Sequence, residues 1–213
     1  MHLVILSLLV AASDPSVLDP LRLLSNAADP PAVTRRADPR IWLEPCAGHL
    51  DKSPFRFHEL IARMIVEPPF TAEWAVSVVR AEDARCVVIS TTGDGNVLQA
   101  NPTEDRHEFP CDLADEVGDV FEAMLGRTRM PEPLDPQYAD GTRYTAIRSD
   151  RCGRAHVPPS ESPAAALAEL GERLLALSRA TKGEREAALA DVRRASAAVR
   201  ERLRASVGES APN

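Results

Sequence analysis

The chain has 213 residues, of which 44% are hydrophobic and 27% are charged, and its net charge is −7 at pH 7. This length and composition are typical of one globular domain with a small appendage, and they allow a sizeable buried core. The negative charge argues against a nucleic-acid-binding protein, because such proteins carry a basic surface that meets the phosphates.

Residues 3–12 form an apolar run, LVILSLLVAA. A membrane-spanning helix needs about 20 apolar residues, so this run is too short to span. It fits the hydrophobic part of a secretory signal, with Val10 and Ala12 at the small-residue positions before a cleavage at Ser13. We therefore expect residues 1–12 to be a signal peptide, and the mature protein to be exported, periplasmic or secreted, without stable membrane insertion. The alternative is a buried β-strand at the start of a cytosolic fold.

Seven prolines interrupt residues 13–54, which we expect to be an irregular leader with a short helix over 16–26. An α+β domain is expected over 55–160, followed by a C-terminal helical segment over 161–207. The domain opens with FRFHELIARMIVE, residues 55–67. Its apolar residues recur every three or four positions, which predicts a helix.

The period then changes to two. Apolar residues alternate from Trp74 to Val79, a β-branched run covers 85–91, and Asp94-Gly95 is typical of a hairpin turn. These features predict a three-stranded antiparallel meander over 73–101. Helical spacing returns over 112–126, with Asp112 as the expected N-cap. Further strands are expected over 142–148 and at 156–157, separated by a turn near Cys152-Gly153.

The C-terminal segment has clear helix signals. Ser162 followed by Pro163 predicts a helix start, and Thr181 with Glu184 forms a capping box that starts a second helix. A break near Gly183 would separate the two. The predicted fold class is therefore α+β: an antiparallel sheet of about four to five strands with packed helices on one face and a C-terminal helical hairpin.

The chain has four cysteines, Cys46, Cys86, Cys111 and Cys152. An even number in an exported protein predicts two disulfides, and the spacing leaves all three pairings open. A competing interpretation is a cytosolic zinc-stabilised domain, because three cysteines have a histidine three or four residues away. Those pairs are Cys46 with His49, His107 with Cys111, and Cys152 with His156. We favour disulfides and expect neither a metal site nor a cofactor.

The densest ionisable cluster is Glu104-Asp105-Arg106-His107-Glu108, in a predicted loop. A histidine beside carboxylates is able to act as a general base. The cluster therefore gives the weak catalytic candidates His107, Asp105 and Glu108, with Glu104 beside them. A polar loop also explains the run, and no standard catalytic or phosphate-binding motif is found elsewhere.

Arg193, Arg200 and Arg204 follow one flank of the apolar stripe in the last helix. They predict an interaction surface, either for a partner or for self-association of the C-terminal helices. The alternative is a helix docked on its own domain. From Pro163 onward the chain has nine basic and seven acidic residues, so the segment is able to lie against a more acidic body.

Asp140-Gly141-Thr142-x-Tyr144, followed by a proline-rich turn and an Ala/Leu helix, resembles the ends of small uncharacterised exported bacterial α+β proteins. The resemblance covers about a quarter of the chain and implies no site residue. Our first hypothesis is a non-enzymatic exported protein that binds a protein or cell-envelope partner. The alternatives are an exported hydrolase with a site near His107 and the cytosolic zinc-stabilised domain.

Overall fold

The structure is a computed structural model, and it describes residues 19–20, 59–93, 103–128, 141–149 and 151–208. The strands of this part of the chain are β1 (Asp19–Pro20), β2 (Glu59–Glu67), β3 (Glu73–Arg80), β4 (Cys86–Gly93), β5 (Thr103–Phe109), β6 (Arg143–Arg148) and β7 (Arg151–His156). The helices there are α1 (Cys111–Leu125), α2 (Pro163–Arg179) and α3 (Arg185–Gly208).

All the described strands join in one antiparallel sheet, in the order β1-β7-β6-β2-β3-β4-β5. The predicted α+β class and the antiparallel sheet are confirmed. The sheet has six strands of six to nine residues and, at one edge, the two-residue β1, so it is slightly larger than predicted. Within the predicted short helix over 16–26, only Asp19–Pro20 are described, and these form β1 instead.

The helices α1 and α2 pack on one face of the sheet, which we call the helix face, and α3 packs against these two helices. Phe121 and Met124 of α1, Leu170 of α2 and Val199 of α3 join side chains of the sheet in one buried cluster. None of the described helices is long and apolar enough to cross a membrane.

The opposite face of the sheet, which we call the second face, carries a separate apolar cluster. Its members are at most 7% exposed, and Cys152 packs against them half-buried. No described helix contributes to this cluster. The members are Leu60, Ile65, Ala75, Val79, Val87, Ile89 and Ile147.

The helix predicted over 55–67 is wrong for its described part, because Glu59–Glu67 form β2. This strand lies in the middle of the sheet, and residues 60–66 are all buried. A strand buried on both faces needs apolar residues without alternation. The spacing of three and four in this run therefore imitated the helical period.

The meander prediction is correct for β3 and β4, which pair as an antiparallel hairpin. The third strand, predicted after Asp94-Gly95 and up to residue 101, lies outside the described residues, and the described strand that pairs with β4 on this side is β5, Thr103–Phe109. The predicted loop at 104–108 is therefore wrong. β5 is an edge strand of the sheet. Phe109 is its only fully buried residue, so a largely charged sequence is able to form this strand.

The predicted helix over 112–126 is confirmed as α1, but its N-cap is Pro110 rather than Asp112. Asp112 lies in the first turn, where a carboxylate favours the positive end of the helix dipole. The strand predicted over 142–148 is confirmed as β6. Cys152 and Gly153 lie inside β7, so the turn predicted there is wrong, and Ser149 adopts the positive φ of the actual turn.

The C-terminal helical hairpin is confirmed. The Ala165 N–H donates to the Ser162 hydroxyl at 3.1 Å, which caps α2 as predicted. The Thr181 backbone N–H donates to the Glu184 carboxylate at 3.0 Å, which is one half of the predicted capping box. The break at Gly183 lets α3 fold back on α2.

Gly171 allows α2 to approach the sheet. A Cβ added to Gly171 would lie 2.9 Å from the Cγ of Met64 in β2. We expect Gly171→Ala to lower the free energy of unfolding by about 1 to 2 kcal/mol, because overpacking outweighs the better helix propensity of alanine. Urea denaturation measures this, with Gly183→Ala as the control, since Gly183 has no atom within 4 Å of an added Cβ. Equal stability of the two variants would contradict the prediction.

Candidate functional site

The ionisable cluster around His107 is divided between the two faces of the sheet. Asp105 and His107 pair with Ser90 and Val88 of β4 and lie on the helix face. Glu104, Arg106 and Glu108 alternate with them and lie on the second face. Of the three carboxylates expected near His107, only that of Asp105 therefore shares its face.

Ion pairs occupy two of these carboxylates. Asp105 lies 3.8 Å from the Arg179 guanidinium of α2, and Glu108 lies 3.1 Å from Arg85. The pKa of Glu104 is raised above its usual value, because partial burial raises it by more than the charge of Arg106 lowers it. Only Asp105 and His107 therefore share a face of β5. The four side chains from Glu104 to Glu108 that were candidates for general acid–base chemistry do not come together in one site.

Cys86 and Cys111 form a disulfide, with a Cα–Cα distance of 5.2 Å. The bridge joins the start of β4 to the first residue of α1. It uses the thiol that the zinc interpretation assigned to the His107–Cys111 pair. Cys152 is also disulfide-bonded, and Cys46 and His49 lie outside the described residues.

No group of three or more potential metal ligands occurs among the residues that the structure describes. His156 lies on β7 in register with Arg143 of β6. Each cysteine–histidine pair of the zinc interpretation therefore has a cysteine that is either disulfide-bonded or outside the described ranges.

Two of the predicted interaction arginines hold α3 on its own domain. Arg193 lies 3.8 Å from the Asp112 carboxylate of α1. Arg200 lies 3.4 Å from the Glu116 carboxylate and donates to the Glu116 backbone carbonyl. Arg204 is exposed on the same helix. The first two guanidiniums thus act within the chain, as the docked-helix alternative requires, and no coiled coil is supported.

A groove that the sequence did not reveal lies on the outer side of the helices. It has two adjoining cavities of about 430 and 390 Å³, and both are bordered by Glu169 and Arg173 of α2. The first lies at the start of β6, against Tyr144. We call this surface the helix groove; its floor includes Ala165, Ala168, Ala195 and Ala198, and its rim includes Tyr144, Glu169, Glu172, Arg173, Asp191, Arg194 and Arg202.

Several polar groups of the helix groove are held in place by the fold. Arg202 donates to the carbonyl oxygens of Ser160 and Ser162 at 2.7 and 3.2 Å, which fixes the end of α3 to the start of α2. Arg173 pairs with Glu169 at 3.1 Å on the same helix. The rim therefore presents charges of both signs above a floor of small side chains.

Tyr144 reports on the electrostatics of the helix groove. Burial raises the pKa of its phenol, the negative charge of Glu172 raises it further, and a hydrogen bond with Thr142 lowers it. We expect a tyrosine pKa above 10 in an alkaline titration at 295 nm, and Glu172→Gln to bring it down. The raised pKa contributes stability that is present below pH 10 and lost as the pH rises through the folded-state pKa. An identical titration in Glu172→Gln would contradict the assignment.

Spacing along the chain offered little signal for this groove, because its rim comes from β6, α2 and α3. The motif that contains Tyr144 indicates only a resemblance to other proteins. Of the two tryptophans, Trp74 is partly buried and packs against the core, and Trp42 lies outside the described ranges.

No protein-family model matches the chain, and no curated protein or solved structure matches it either.

Proposed function

We propose that this chain is an exported, non-enzymatic binding protein whose partner is a protein or another component of the cell envelope. The helix groove is the surface that takes the partner, and this groove is the observation that carries the proposal. Two adjoining cavities, about 430 and 390 Å³, provide a concave surface with preformed polar groups.

The charges of the groove favour a protein segment as its occupant. Glu169, Glu172 and Asp191 stand along the same groove as Arg173 and Arg194. A nucleic acid or an anionic membrane surface would require an excess of basic residues, which this rim lacks. A peptide with side chains of both signs complements it, and the alanine floor leaves room for the peptide backbone.

The Cys86–Cys111 disulfide supports the exported location, because disulfides persist mainly in oxidising compartments. Intact mass of the protein from its native host tests this part. We expect a mass that starts at Ser13 and four alkylated cysteines only after reduction. A full-length mass with alkylation before reduction would contradict export.

A charge reversal tests the groove as the binding surface. Glu172→Arg should abolish capture of the envelope partner that the wild-type protein captures, because it reverses the sign at the first cavity. Glu186→Arg is the matched control, since Glu186 is exposed in the first turn of α3, outside the groove. Equal capture by the wild-type protein and both variants would refute the helix groove as the binding surface. If the partner binds at Arg204 instead, Arg204→Glu should abolish its capture.

The alternative of an exported hydrolase keeps one supporting observation, the shared face of Asp105 and His107. It predicts a hydrolytic activity that His107→Ala removes. Unchanged hydrolysis by that variant would exclude this site.

A further inference from the structure

Val157 has a backbone conformation that its residue type rarely adopts. Its φ is 40°, in the left-handed region, where a β-branched side chain is crowded by the backbone. The next residue is Pro158, and a residue before proline is normally extended. A glycine would adopt the same φ without strain. Strained residues of this kind cluster at sites that hold a ligand, so the valine side chain is a candidate for such a role.

The fold holds Val157 in this conformation. Its N–H donates to the Thr142 carbonyl at 3.2 Å, which joins the end of β7 to the residue before β6. A Cβ added to Gly141 would overlap the Cγ2 of Val157, so the glycine leaves space for the valine side chain. Burial does not explain the valine, because it is 58% exposed. In the described part of the chain, Phe70 is the other large apolar side chain exposed to this degree.

The exposed side chain of Val157 borders the first cavity of the helix groove. This cavity has a volume of about 430 Å³, and Pro158, Ala165 and Ala168 join Val157 in its apolar part. An apolar side chain that enters a cavity loses more contact with water than one on a flat surface. A contact with Val157 would therefore contribute more to binding than a contact elsewhere on the rim.

Glu172 supplies the charge of the same cavity. Arg173 pairs with Glu169, and Arg202 donates to two carbonyl oxygens. Within the described part of the chain, Glu172 makes no ion pair and no hydrogen bond. Its charge raises the pKa of the Tyr144 phenol, so its carboxylate lies near this ring. A guanidinium is able to pair with such a carboxylate and to stack on such a ring.

We propose that the first cavity binds a basic side chain and a neighbouring apolar side chain of the partner protein, with Glu172 as the counter-ion of the first and Val157 as the anchor of the second. This inference rests on the proposed function and names the chemistry that its groove selects. At Val157, stability and binding should oppose each other, because the strained valine presents its methyl groups to the partner.

Val157→Gly separates stability from binding. Since glycine adopts a φ of 40° without strain, the urea midpoint of unfolding should rise above that of the wild-type protein. A valine kept for its packing within the fold would give the opposite result, a lower midpoint. A lower midpoint in Val157→Gly would therefore overturn the proposal.

Capped dipeptides measure the binding. N-acetyl-leucyl-argininamide carries both proposed side chains, and NMR titration of the full chain should show saturable shifts of the Ala168 and Glu172 amide resonances. Two matched probes each lack one feature: N-acetyl-glycyl-argininamide lacks the apolar side chain, and N-acetyl-leucyl-citrullinamide lacks the charge. Each should bind at least threefold more weakly than the first dipeptide.

Two variants assign these losses to their residues. Val157→Gly should weaken binding of the leucyl-arginine probe at least threefold and leave the glycyl-arginine probe unchanged. Glu172→Gln should weaken both arginine probes and leave the citrulline probe unchanged. Val157→Thr keeps the branched shape and the strain, and it should also weaken the leucyl-arginine probe. Phe70→Ala is the control, because it removes an exposed apolar side chain outside the groove, and it should bind all three probes as the wild-type protein does.

The outcomes separate this inference from the proposed function. Equal affinity for the three dipeptides, no shift by any of them, or equal affinity in Val157→Gly and the wild-type protein would overturn the inference. If Glu172→Arg still abolishes capture of the envelope partner, the helix groove remains the binding surface and only the inference fails. If Glu172→Arg also captures the partner as the wild-type protein does, both fail.

Discussion

Phe121→Ala should lower the free energy of unfolding by about 3 to 5 kcal/mol, the largest single effect that we expect. Phe121 lies in α1, is 0% exposed, and belongs to the cluster between the helices and the sheet. Its removal loses the transfer free energy of the ring and leaves a cavity that rigid neighbours fill only in part. Urea denaturation monitored by circular dichroism measures the change.

Phe70→Ala is the matched control for this experiment, because it removes the same atoms from a side chain that is 88% exposed. We expect its free energy of unfolding to stay within about 0.5 kcal/mol of the wild-type value. Similar losses in the two variants would show that Phe121 does not occupy the core described here.

Removal of the Cys86–Cys111 bridge should lower the free energy of unfolding by about 3 kcal/mol. The bridged residues are 25 positions apart, so the bridge restricts a sizeable loop of the unfolded chain. The double variant Cys86→Ala/Cys111→Ala avoids placing a hydroxyl at the buried Cys86 position. Denaturation of the variant and of the wild-type protein, each under oxidising conditions, measures the difference.

A reducing agent provides the control for the bridge. It should destabilise the wild-type protein by more than it destabilises the alanine variant, because only the wild-type protein still has the Cys86–Cys111 bond to lose. Equal sensitivity of the two proteins to reduction would contradict a contribution of this bridge.

The helices of this fold were predictable because their ends are marked by local chemistry. Ser162 and Glu184 make capping hydrogen bonds that depend only on residues three positions away. The strands β2 and β5 were not predictable from the same rules. The central strand β2 is apolar at every buried position except Arg63, and the edge strand β5 is largely charged, so neither shows the alternation that marks a half-buried strand.

The candidate site was less predictable than the fold. Asp105 and His107 share one face of β5, whereas Glu104 and Glu108 lie on the other, and this separation follows from a strand where a loop was expected. The intramolecular pairs of Arg193 and Arg200 agree with the charge balance of the C-terminal segment. The helix groove depends on tertiary packing of three elements, which spacing along the chain does not encode.

The position of β2 between β3 and β6 has a consequence for how the protein folds. β3, β4 and β5 are able to pair locally, but β2 meets β6 across roughly 80 residues, as in the pair of Arg63 with Ile147. Closure of so long a loop is slow. One edge of β2, the most apolar strand, therefore stays unpaired until β6 docks beside it. During this interval the chain is open to aggregation, and refolding yield should fall as protein concentration rises.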